Sequence, residues 1–160
     1  MAVDMFCKID GIDGESTDDK HAKWIEIDSY TCGVSQPVSG KNVGGLTGGK
    51  ADFQPFGIVK TVDAATPDLH TYCANGKHIP KVEIECCLAT EDKHVFMKYT
   101  LEDAIVSSIT ATGSVDDVRP AEKVTFAYGK IKWDYTPIDK TGKPGAALSR
   151  AWNVGTNAKG

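Results

Sequence analysis

Apolar and polar side chains alternate every second residue along most of the chain. The pattern is clearest at 81–88, where Val82, Ile84, Cys86 and Leu88 fall on one side and Lys81, Glu83 and Glu85 on the other. That is the signature of a strand with one buried and one wet face. In "EKVTFAYGKIKWDYTP", Val124, Phe126 and Tyr128 share a side, and Ile131, Trp133 and Tyr135 resume the alternation beyond Gly129. A long strand with a bulge or bend at that glycine is expected. Weaker strands are expected at 2–9, 22–33, 53–62, 94–100 and 104–111, separated by turn-rich pieces such as "DGIDGES" and "TGSVDD".

One segment departs from this period. In "TPDLHTYCANGKHIP", Thr66 can cap a helix, Pro67 suits its first position and Asp68 suits its positive end. Leu69, Tyr72 and Cys73 form a short apolar stripe, Gly76 offers a left-handed exit and Pro80 bars continuation. The expectation is a mainly β fold: a small antiparallel β-barrel of two packed sheets, one short helix at about 67–75, and a long glycine-rich loop at about 40–52. With 160 residues, a single domain spanning 1–160 is expected, large enough to remove ~70% of the extended chain's surface from water.

Composition narrows the function classes. The 18 Lys and Arg against 22 Asp and Glu give a net charge of −4, which lacks the basic excess that phosphate backbones demand, so nucleic acid is not an expected partner. No apolar run is long enough to span a bilayer, and "MAVDMFCKID" does not read as a secretory signal. Five cysteines without framework spacing leave at least one thiol unpaired and suit synthesis in a reducing compartment.

Candidate chemistry dissolves on inspection. "GGLTGGKA" satisfies seven positions of the phosphate-loop pattern G-x-x-x-x-G-K-[ST] but places Ala51 where the magnesium-binding hydroxyl belongs, and Pro55 follows where a helix should open. Cys73, His78, Cys86, Cys87 and His94 are zinc-type ligands without a knuckle spacing, and Cys86 and Cys87 must point to opposite faces of a strand. His70 and Cys73 lie one helical turn apart without a visible orienting group. "DGIDGESTDD" fails the calcium-loop pattern at Ile12, and pairs such as Glu83 with Glu85 or Asp116 with Asp117 read as a strand's wet face and a turn. Trp24, Trp133 and Trp152 could form a sugar-stacking platform, or serve as core and interface anchors. No catalytic constellation, metal site or cofactor site is expected.

Five collinear segments carry a resemblance: "MAVDMFCKIDGIDGES", "GVSQPVSG" before the glycine loop, "TPDLHTYCANGKHIP", "AIVSSITATGS" and "EKVTFAYGKIKWDYTP", with Trp152-Asn153 near the end. Together they resemble the Hcp (haemolysin-coregulated) tube proteins of bacterial type VI secretion, over essentially the whole chain. The chain departs from that pattern at Cys86, Cys87 and Leu88, where relatives often carry basic residues. The resemblance implies a structural protein rather than an enzyme. It implies homohexameric rings stacked into a hollow tube inside a sheath, expelled with a spike from a bacterial cytoplasm without a signal peptide. Sheath, spike and baseplate proteins, and small effectors in the lumen, are the implied partners.

A side contact that closes and an axial contact that does not require two different complementary surfaces on one chain. The glycine loop then has a purpose: Gly44, Gly45, Leu46, Gly48, Gly49 and Lys50 are expected to reach from one ring to the next, the glycines supplying backbone freedom and Lys50 a polar anchor. By the same resemblance, Thr31 is expected to face the lumen. The alternative is a monomeric carbohydrate-binding β module.

Overall fold

A computed structural model describes residues 2–40 and 44–160. In chain order the elements are β1 (Val3–Ile9), β2 (Ile25–Glu26), β3 (Ser29–Thr31), β4 (Val34–Ser35), β5 (Val38–Ser39), β6 (Thr47–Gly48), β7 (Asp52–Phe53), β8 (Phe56–Thr61), α1 (Thr66–Asn75), β9 (Ile79–Leu88), β10 (Val95–Thr112), β11 (Ala121–Tyr135), β12 (Leu148–Asn153) and β13 (Ala158–Lys159). The fold is mainly β with one helix, as the alternation requires.

The antiparallel ladder runs β1–β9–β10–β11. The other edge of β11 is divided: Ala121–Phe126 pairs with β8 and Lys130–Tyr135 with β12. Segment 25–31 joins the two ends of the ladder, because β2 pairs with β1 and β3 with β8. Between them, Ile27 N–H donates to Met5 O at 3.0 Å and Asp28 N–H to Val59 O at 2.7 Å. The pairing therefore returns to its start, and one strand changes layers at a corner.

The two layers enclose a core in which Phe56, Ile58, Ile84, Leu101 and Phe126 are fully buried. Each such side chain contributes about 1.5–3 kcal/mol by leaving water. Strand β10 merges the two strands expected at 94–100 and 104–111. Asp103 takes φ 51° and packs against Gly129, where an added Cβ would lie 3.2 Å from Asp103 Oδ2. The irregularity expected at Gly129 therefore falls on Asp103 of the neighbouring strand, and Gly129 provides the room for it. The β10–β11 register runs unbroken past Gly129, from Glu102 opposite Lys130 to Ala104 opposite Tyr128, and shifts instead between Val106 and Ser108.

Helix α1 lies over β10 with Leu69 fully buried and Tyr72 and Cys73 partly so. Gly76 closes it at φ 63°, as its sequence predicts. Thr66, however, is not the cap: the helix begins at Thr66, and Ala65 precedes it without a side-chain cap bond. The Thr66 hydroxyl is engaged instead by Asp63 N–H at 3.0 Å and donates to Glu122 Oε2 at 3.0 Å. A buried ion pair has recruited it: Lys60 and Glu122, opposite each other on β8 and β11, meet at 2.7 Å, and Asp63 approaches the same ammonium at 2.9 Å.

The wet face expected at 81–88 is also partly covered. Residues 12–24 fold across the outside of β1 and β9, stacking His21 on Phe6 with ring centroids 4.2 Å apart. His21 Nδ1 lies 2.8 Å from Asp18 Oδ2, and Nε2 lies 3.2 Å from Glu85 Oε2. Glu83 is half-buried too, 3.1 Å from Lys98 Nζ.

Candidate assembly surfaces

The glycine-rich stretch forms the outer half of a two-stranded arm. β4 pairs with β7 near its base and β5 with β6 further out, by two residues each. Of the expected loop at 40–52, residues 41–43 lie outside the described residues. The glycines divide into two kinds. Gly44 and Gly45 adopt φ 136° and 92°, which side-chain-bearing residues resist. Gly49 is needed instead for close approach, since an added Cβ would sit 3.0 Å from Pro37 Cγ, and its N–H donates to Gln36 Oε1 at 2.6 Å. Gly48 lies in β6, against the Gln36 side chain. Lys50 is exposed, and no helix follows it, so the phosphate-loop context is absent as Ala51 and Pro55 suggest.

The arm exposes apolar side chains: Val34 at 53%, Val38 at 56% and Leu46 at 81%. At its base Phe53 packs on Trp133 and Tyr128, each with ring centroids 6.4 Å apart. Tyr128 O–H donates to Gln54 O at 2.9 Å, tying the base to β11. Thr31, at the end of β3, is exposed and sits opposite Gly57 of β8.

Beside the arm, Trp133 and Trp152 line a groove of about 520 Å³ with Lys132, Arg150 and Lys159. They also line a neighbouring 320 Å³ hollow with Gln36, Gly49 and Phe53 of the arm. Trp24 belongs elsewhere, edge-on to His21 with centroids 4.8 Å apart. The three tryptophans therefore do not form one platform.

The zinc-type residues are dispersed: among the described residues no three His, Cys, Asp or Glu side chains gather as a metal site. Cys86 and Cys87 are both buried, His78 Nδ1 approaches Asp103 at 2.9 Å on the surface, and His70 Nδ1 donates to Thr66 O of its own helix at 2.8 Å. All five cysteines are unpaired. Burial, reinforced by the Glu85 charge, pushes the Cys87 thiol up to about 12, and burial likewise raises Cys32 and Cys86. These thiols are poor nucleophiles at neutral pH. Sequence reasoning missed the Lys60–Glu122 pair and the His21 stack, whose partners are far apart in the chain.

The profile of the family described as "Type VI secretion system effector, Hcp" matches residues 6–135. Protein hcp1 of Pseudomonas aeruginosa PAO1 is 35% identical over 161 residues, covering 99% of each chain. A solved type six secretion system protein superposes with a TM-score of 0.95 at 35% identity, over 99% of this chain and all of that one. Hcp1 from Salmonella typhimurium gives a TM-score of 0.83 at 33% identity over 99% of both chains. The chain belongs to the Hcp family of type VI secretion proteins.

Proposed function

We propose that the chain, acting as one domain, is a structural subunit of the type VI secretion tube. Six copies close into a ring, rings stack into a hollow tube, and sheath contraction expels the tube with its spike. The exposed arm is the observation that carries this reading. Val34, Val38 and Leu46 are bare on a ribbon held by short ladders, so the arm gains apolar contact only from another molecule. Gly44, Gly45, Leu46, Gly48, Gly49 and Lys50 form the ring-stacking segment. Thr31 faces the lumen, where small effector proteins are held by repeated weak contacts rather than by a tight pocket. The work of the protein is mechanical, without a cofactor and without membrane insertion.

The test is native mass spectrometry of the chain at micromolar concentration under reducing conditions, followed by negative-stain imaging. A closed six-subunit species is expected, and deletion of 44–49 is expected to leave rings but abolish stacks. A monomer at every concentration would reject the tube reading.

A further inference from the structure

The β10–β11 hairpin ends in an apolar and acidic tip. Val115 and Val118 are fully exposed, at 102% and 100%. They bracket Asp116 and Asp117 on a turn in which Asp117 N–H donates to Ser114 O at 3.1 Å and Asp116 N–H to Ser114 Oγ at 3.3 Å. Arg119 is directed to Glu15, at 3.9 Å. Among the described residues, neither tip aspartate has a cationic side chain at ion-pair distance.

The groove at Trp133 and Trp152 is the complement. Register places Trp133 opposite Arg150 and Trp152 opposite Lys159, so the two indoles and two cations share one face of the sheet. Arg150 Nη1 donates only to the neighbouring Ser149 O, at 2.7 Å, and among the described residues no carboxylate pairs with Arg150 or Lys159. Concave aromatic surface with unneutralised cations matches convex aliphatic surface with unneutralised carboxylates.

The two features cannot meet within one molecule. They sit toward opposite ends of β11, and the extended chain from Ala121 to Lys132 spans roughly 35 Å. We propose that the Val115-Asp116-Asp117-Val118 tip of one copy seats in the Trp133/Trp152 groove of a second copy, valines against the indoles and carboxylates against Arg150 and Lys159. This rests on the assembly reading and deepens it by naming a contact. Tip and groove are different surfaces, so the contact is head-to-tail and propagates until a ring closes or a filament grows. A tip this small covers far less than the ~1,000 Å² of a stable pair, so the contact matters through repetition.

Charge exchange tests it, with association followed by sedimentation velocity and imaging. The double reversals D116K/D117K and R150E/K159E alter exposed side chains, and far-UV circular dichroism confirms that each variant is folded. Each is expected to weaken association roughly tenfold, because like charges then face each other. An equimolar mixture of the two is expected to recover assembly through alternating copies, and so is a single chain that carries all four substitutions. If either double variant assembles like the wild type, or if the combined variant recovers nothing, the contact is wrong while ring assembly stands. A wild-type chain that remains monomeric overturns both.

Discussion

The β body and the arm use the same backbone chemistry and differ in what holds them. In the body, ladders of up to fourteen paired positions lie over side chains from which water is excluded. In the arm, each ladder is two residues long, and Val38 and Leu46 face solvent. Hydrogen bonds exchange with water at little net gain, whereas apolar burial does not. The body therefore holds its shape within one chain, and the arm leaves Val34, Val38 and Leu46 exposed in it.

Phe126→Ala should break the body most severely. Its ring is fully buried between β8 and β10, and its loss is expected to cost about 3–5 kcal/mol in urea denaturation. Lys60→Met strands the Glu122 carboxylate and is expected to cost about 3 kcal/mol, with Lys60→Met plus Glu122→Leu recovering most of it. If the double variant were no better than the single one, the pair would contribute through packing and not charge.

A smaller effect is expected at Glu83. Burial acts to raise its carboxyl, but the Lys98 hydrogen bond and charge, aided by Lys81, outweigh burial and hold it below the usual glutamate value. A lowered folded-state value means that the stabilisation is present above the free-glutamate pKa and disappears as pH falls through the folded one. Glu83→Gln is thus expected to be less stable than the wild type at pH 7, by about 0.5 kcal/mol after solvent screening, and to converge with it in acid. A gap that persisted unchanged at low pH would assign the effect to something other than charge.

Leu46→Asp should barely affect the body, within about 0.5 kcal/mol, while shortening tubes in negative stain. A large loss of subunit stability would show that the arm belongs to the body after all.

Much of the fold is legible locally. Period two marks β9 and β11, and Gly76 ends α1 where a left-handed residue is required, because these signals involve neighbours in sequence. Thr66 shows the limit: its local context offers a cap, yet Glu122 claims the hydroxyl from another strand. At the candidate surfaces, the arm was readable as a glycine-rich excursion, but its two ladders depend on pairing Ser39 with Thr47 and Ser35 with Asp52. The groove was less legible still, since nothing in the order of residues puts Trp133 beside Trp152.

The sequence by itself determined which segments extend, where the one helix ends, and that the phosphate-loop and zinc patterns fail, since spacing and residue type settle those points within a few positions. Only the tertiary structure decided that segment 25–31 joins two layers, that Lys60 and Glu122 are buried together, and that His21 lies over Phe6 between Asp18 and Glu85. Those outcomes depend on strand register and on which surfaces lose their water together, and both are properties of the packed chain as a whole.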